Sequence, residues 1–93
     1  MYTTLTDKTI NNIEHTSNII KSKVIWEVNC DTIMLVHNKF SGKRVILLND
    51  KIIHSSRKLI DNGSTHIITI NKNIFYLQIK EYGFGFKYFL NSK

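Results

Sequence analysis

From Lys23 to the C-terminus the chain is a succession of short segments rich in Ile, Val, Leu, Tyr and Phe, each ended by Asn, Asp, Gly or Ser, with no proline among the 93 residues. β-Branched and aromatic residues fit a pleated, half-buried surface, and the interruptions are turn formers, so the pattern predicts strand after strand joined by tight turns. No stretch after Lys23 has the length and 3.6-residue period of a crossover helix. That constrains function as well as fold, because it removes the doubly wound architectures in which a glycine-rich loop meets a helix to hold a phosphate.

The alternation within segments assigns faces. Val24, Trp26 and Val28 alternate with Ile25, Glu27 and Asn29, which predicts the first set inward and Glu27 outward. Ile33 and Leu35 share a face in Thr32–His37, and Val45 and Leu47 are expected to continue the core, with Ile46 and Leu48 covered on the other side. Phe75, Leu77 and Ile79 alternate with Tyr76, Gln78 and Lys80. Phe84, Phe86, Tyr88 and Leu90 are expected on one inward face of the last strand, with Lys87 on the other. Turns are expected at Ser41-Gly42, Asn49-Asp50 and Asn71-Lys72-Asn73, and the strongest hairpin signal is Asp61-Asn62-Gly63, since Asn-Gly readily takes the left-handed conformation. About seven such strands predict an all-β antiparallel sandwich or barrel over residues 23–93. Residues 1–22 follow no clean period and are expected to be a mostly flexible lead-in with room for a short helix or an extra strand.

A domain this short buries roughly 60% of the surface its unfolded chain exposes. At 42% hydrophobic and 11% aromatic it has material for one core. Apolar runs such as Val45–Leu48 are too short to cross a bilayer, and Met1–Thr9 lacks the basic start and apolar centre of a secretory signal, so a soluble chain without membrane contact is expected. The single cysteine, Cys30, fits a reducing compartment, and the expected location is the cytoplasm. The net charge of +6 is uneven: residues 1–40 hold four Lys against four acids, and residues 41–93 hold nine Lys or Arg against three. Such an excess favours acidic partners, although lysine also guards the edges of β-sheets.

Few residues present themselves for chemistry. Ser41-Gly42-Lys43 lacks the spacing of a phosphate-binding loop. His15, His37, His54 and His66, with Cys30, show no metal-ligand spacing and read as half-exposed strand or loop residues. The seven acids are singletons, with Asp50 and Asp61 in turns, and His54 cannot serve Ser55 because neighbours on a strand face opposite ways. No catalytic residue, cofactor or metal is expected. The segment Tyr82-Gly83-Phe84-Gly85-Phe86-Lys87-Tyr88-Phe89 is similar to the RNA-contacting strand of RNA-recognition and cold-shock domains, where its third and fifth positions stack on bases. On that alternative the chain is a basic single-stranded nucleic-acid-binding domain using Lys80, Phe84, Phe86 and Lys87. It would bury the Lys87 ammonium, at a cost of several kcal/mol, so the opposite orientation is favoured.

One succession of motifs has a family likeness. Trp26, then Ser41-Gly42-Lys43-Arg44-Val45, Asn49-Asp50-Lys51, Leu59-Ile60-Asp61-Asn62-Gly63 and Gly83-Phe84-Gly85-Phe86-Lys87-Tyr88 resemble, in order and spacing, one β-repeat of the Fas apoptotic inhibitory molecule family, over about Lys23 to Asn91. The resemblance implies an antiparallel β-sandwich, Trp26 as a core aromatic, Ser41–Val45 as a turn leading into a central strand, and Phe84–Tyr88 as a core-facing closing strand. It also implies a non-enzymatic cytoplasmic regulator of apoptosis acting through protein contacts. Members hold two such units in tandem and this chain has room for one, so self-association through an uncovered apolar face is a further expectation.

Overall fold

The structure is a computed structural model and describes residues 10–93. The described residues form eight strands: β1 Ile10–Ser17, β2 Lys21–Val28, β3 Asp31–Asn38, β4 Lys43–Leu48, β5 Lys51–Arg57, β6 Gly63–Ile70, β7 Asn73–Tyr82 and β8 Gly85–Ser92. They make an antiparallel five-stranded sheet in the order β1-β2-β3-β4-β5 and an antiparallel three-stranded sheet in the order β6-β7-β8. Two separate antiparallel sheets make an all-β antiparallel fold, as the strand-and-turn pattern predicts, and are not one closed barrel. Two compact units divide after Asp61, so each sheet is its own unit.

Among the described residues, the sheet of the first unit already includes Ile10, well before Lys23. The extra strand allowed for in the lead-in is real: β1 pairs with β2 from Ile10↔Val28 to Ser17↔Ser22. The flexible lead-in expected over residues 1–22 is corrected to this extent, and its first nine residues lie outside the described ones. Both edge strands of this sheet carry a β-bulge, at Ile13 in β1 and Ile53 in β5. Asn12 Nδ2 bridges the first bulge, donating to the carbonyls of Ile25 (3.0 Å) and Glu14 (3.1 Å). Bulges twist an edge and spoil it as a template for further pairing, which these Ile-rich edges need.

The buried face of this sheet carries Val24, Trp26 and Val28 of β2 and Ile33 and Leu35 of β3, as the alternation predicts. In β4 the expectation fails. Arg44 and Ile46 are buried, while Val45 and Leu47 are only half-buried. Register explains the difference. The loop of residues 39–42 sets Leu35 opposite Ile46 and His37 opposite Arg44, and cross-strand partners share a face, so burying Leu35 commits Ile46 and Arg44 to the same side. Gly42, at φ 78°, is indispensable in that loop, because a Cβ there would lie 1.9 Å from the Lys58 carbonyl oxygen.

In the second unit, Ile68, Ile70, Phe75, Leu77, Ile79 and Leu90 form an entirely apolar buried face. Burying one such side chain is worth roughly 1.5–3 kcal/mol. Asn49-Asp50 and Asn71-Lys72 each close a two-residue hairpin with both residues at positive φ. Asp61-Asn62-Gly63 closes no hairpin, contrary to expectation. It belongs to the connection from β5 to β6, strands of different sheets, and Gly63 at φ 102° already opens β6.

Candidate functional site

Two clusters of basic side chains stand out, one exposed in the second unit and one buried in the first. On the exposed side of β7–β8, Lys80 stands directly opposite Lys87. Like charges in a cross-strand pair repel, and here each ammonium is instead taken up by the ring on its diagonal. Lys80 Nζ lies 5.7 Å from the Phe89 ring centroid and Lys87 Nζ 3.8 Å from that of Tyr82. The quadrupole of an aromatic face attracts a cation at these distances. Exposed Ile67 of β6, opposite Tyr76, extends the same side of the sheet.

The four residues of the nucleic-acid alternative are thus divided. Lys80 and Lys87 come together on the exposed face, and Lys87 is open to water as the energetic argument requires. Phe86 lies on the opposite, half-buried side with Tyr88, in phase with buried Leu90. Phe84 departs from the expected inward face. It is fully exposed, because Gly83 and Phe84 are the two loop residues between the closing pair Tyr82↔Gly85, and the strand starts only at Gly85. Gly83, at φ 60°, supplies the left-handed first position of that turn. The aromatics that accompany the lysines are Tyr82 and Phe89, which the motif comparison did not select. Counting from Lys87 in steps of two would have found Phe89, since alternate residues share a face.

The buried cluster begins with the S-G-K-R motif. Arg44 Nη1 donates to the Gly42 carbonyl at 2.7 Å, and Arg44 Nη2 donates to Asp61 Oδ1 at 2.7 Å. Asp61 Oδ2 lies 2.6 Å from His37 Nε2. His37 and Arg44 are 0% exposed and the Asp61 side chain only 9%. Burial outweighs the neighbouring carboxylate and lowers the His37 pKa, so at neutral pH the ring is uncharged and Nε2–H donates to Asp61. The cluster then holds one guanidinium and one carboxylate, an ion pair that would cost several kcal/mol per ion to bury without these hydrogen bonds. Arg44 Nε finds no partner, so even this latch is incompletely satisfied. Its chemistry is structural: it ties the chain leaving β5 to the β3–β4 hairpin, helped by the Lys58 N–H donating to the Gly42 carbonyl at 3.1 Å.

Two sequence expectations are corrected here. His37 is a buried member of an ion cluster and no half-exposed strand residue, and Asp61, its side chain 9% exposed, is the acceptor of that cluster where a turn residue was expected. The alternation Ile33–Leu35–His37 contained the first signal. Nothing local announced that a carboxylate 24 residues later would meet it.

The remaining candidates stay apart. Among the described residues no three His, Cys, Asp or Glu side chains gather as metal ligands. Cys30 is exposed in the β2–β3 turn. His54 and His66 each contact a serine two positions away on the same strand face, Ser56 and Ser64, at 2.8 Å. Among the described residues no helix is long and apolar enough to cross a membrane. Compared with known proteins, the chain matches no family model, no curated sequence and no solved structure.

Proposed function

We propose that the chain is a non-enzymatic protein-interaction module of the cytoplasm and, as its resemblance to the Fas apoptotic inhibitory molecule family implies, a regulator of apoptosis and cell survival. The observation that carries this reading is the exposed side of the three-stranded sheet, where Tyr82 and Phe89 hold two lysines on their rings, with exposed Ile67 further along the same side and Phe84 at the hairpin tip. Exposed aromatic side chains are the anchors of protein-binding surfaces, where their large apolar area and, for Tyr, a polar handle supply the energetics. The buried titratable cluster supports a non-catalytic role, because Arg44, Asp61 and His37 are engaged in holding the chain together, away from any substrate.

The test is a survival assay in cells challenged with Fas ligand. Cells expressing the chain should survive better than untransfected cells, and a variant carrying Tyr82→Asp and Phe89→Asp should lose the benefit at unchanged protein level. Equal survival with and without the chain refutes the reading.

A second reading, single-stranded nucleic-acid binding, is favoured by the bare ring of Phe84 at the tip of the hairpin that carries Lys80 and Lys87. Against it, Phe86 is turned inward, and a base stacking on the occupied face of Tyr82 or Phe89 would displace an ammonium. Titrating a fluorescent single-stranded oligonucleotide at two salt concentrations separates the readings. Nucleic-acid binding requires affinity that falls steeply with salt and weakens in Lys87→Gln, whereas the protein-interaction reading expects neither.

A further inference from the structure

The five-stranded sheet has two unlike ends. Because its strands are consecutive and antiparallel, the β1–β2 loop, the β3–β4 loop and the chain leaving β5 all emerge at one end. Hydrogen bonds join them: the Lys39 N–H donates to the Ile20 carbonyl at 2.6 Å, and the Lys58 N–H to the Gly42 carbonyl at 3.1 Å. Lys39 Nζ also reaches across to Ser17 Oγ at 2.9 Å and to the Asn18 carbonyl. At the tips of these tied loops stand Ile19, Phe40, Leu59 and Ile60, each 86–92% exposed. Single exposed apolar residues need no explanation, but four of them on adjoining loops at one end of a sheet mark an interaction site.

Charge says what kind. Lys21, Lys43 and Arg57 are exposed around these tips. Of the carboxylates toward this end, Asp61 is turned inward onto His37 and Arg44, and Glu14 of β1 is paired with Lys23 at 3.4 Å. Glu27, Asp31 and Asp50 lie at the opposite end, near the β2–β3 and β4–β5 turns. The loop end therefore carries exposed cations around apolar tips, while the opposite end holds three acids beside exposed Lys51. Beside the tips, an open cavity of about 330 Å³ is lined by Thr16, Ser17, Asn18, Lys21 and Lys23, with space for a phosphate-bearing head group against Lys21, Lys23 being paired with Glu14.

We propose that this loop end docks on the surface of an anionic lipid bilayer, with Ile19, Phe40, Leu59 and Ile60 entering the head-group and upper acyl region and the surrounding cations meeting acidic head groups. A bilayer accepts apolar tips standing at unequal heights, whereas a folded protein would have to match them in shape. Basic clusters beside a membrane surface gain from its negative potential, and apolar side chains add area removed from water. Docking needs no spanning segment. It adds a location to the proposed interaction module and uses residues of the first unit alone.

Co-sedimentation with vesicles tests it. The intact chain should pellet with phosphatidylcholine vesicles containing roughly a third phosphatidylserine, and remain in the supernatant with phosphatidylcholine alone. Phe40→Asp with Leu59→Asp should lower the partition coefficient at least about tenfold, at an unchanged melting temperature, since both side chains are in water already. Lys21→Glu with Lys43→Glu, exposed positions that keep every apolar tip, should weaken binding to a similar degree and reduce its salt dependence. The proposal is overturned if the intact chain ignores phosphatidylserine vesicles, or if both double variants bind as it does. It is equally overturned if sedimentation analysis shows a dimer that Phe40→Asp and Leu59→Asp dissolve while vesicles capture nothing, because the tips would then cover a second copy.

Discussion

His37 faces Arg44 across β3–β4, and Lys80 faces Lys87 across β7–β8: two cross-strand basic pairs, resolved in opposite ways. The first pair is buried. There the protein keeps one ring neutral and brings in Asp61 to meet both partners. The second pair is exposed, keeps both ammonium groups, and spreads them over the faces of Phe89 and Tyr82. Solvent makes the difference. In water a like-charge pair costs a few tenths of a kcal/mol and aromatic faces suffice, whereas in the interior an unmatched charge costs several kcal/mol and only a hydrogen-bonded counterion will do.

Removing the counterion should produce the largest effect. Asp61→Ala strands the Arg44 guanidinium in a site with 0% exposure, and urea unfolding should show a loss of about 3–5 kcal/mol. Replacing the cluster as a whole separates the charge from the packing. His37→Leu, Arg44→Met and Asp61→Leu together should recover most of that loss, because an apolar set of similar volume avoids the desolvation of two ions. A triple variant as unstable as Asp61→Ala would show that the latch positions the β5–β6 connection in a way packing alone cannot.

Protonation comes next in size. Burial places the His37 pKa below the ordinary imidazole value near 6.5. The unfolded chain therefore binds its proton first as pH falls. The stability associated with a neutral His37 is whole above the ordinary value and is lost as pH drops through it toward the lowered value of the folded state. One proton limits the slope to about 1.4 kcal/mol per pH unit. Urea midpoints collected between about pH 7.5 and 5.5 should fall over that window, and His37→Gln, which keeps an N–H for Asp61 but cannot titrate there, should flatten the curve. An unchanged slope in the variant would move the titration to another group.

The two pairs also differ in how far the sequence disclosed them. Alternation correctly placed Trp26, Leu35, Phe75 and Leu77 inward and Lys87 outward, since period two and burial speak the same language. It failed in β4, where all of Val45–Leu48 is apolar and either phase is compatible with the pattern; the phase was decided by register with β3. Arg44 was legible only as part of a motif, because burying it depends on Asp61, distant in sequence and disguised as part of a turn signal. At the other pair, Lys80 and Lys87 were readable from strand parity, but Phe84 was not. Parity extends only as far as the strand does, and a Gly-first turn ended β8 one residue short of it. Asn-Gly at Asn62-Gly63 misled for the same kind of reason, a local preference for positive φ being equally useful at the start of a new strand.

The smallest effect is the most discriminating for the exposed pair. Reversing either lysine converts a repulsive cross-strand pair into an attractive one, a gain of about 0.2–1 kcal/mol. The two reversals are not equivalent, because each also discards a ring contact. Lys87→Glu gives up the close approach to Tyr82, 3.8 Å, which at an exposed site is worth about 0.5–1 kcal/mol, so gain and loss nearly cancel. Lys80→Glu gives up the longer contact with Phe89, 5.7 Å, and leaves Lys87 on Tyr82 with a carboxylate newly opposite. Lys80→Glu should therefore raise the urea midpoint measurably, and Lys87→Glu should leave it almost unchanged. Added salt should erase the gain, since an exposed pair is screened within about a Debye length. If both variants were stabilised equally, the ring contacts would carry no energy, and the exposed pair would be a plain repulsion that the sheet tolerates.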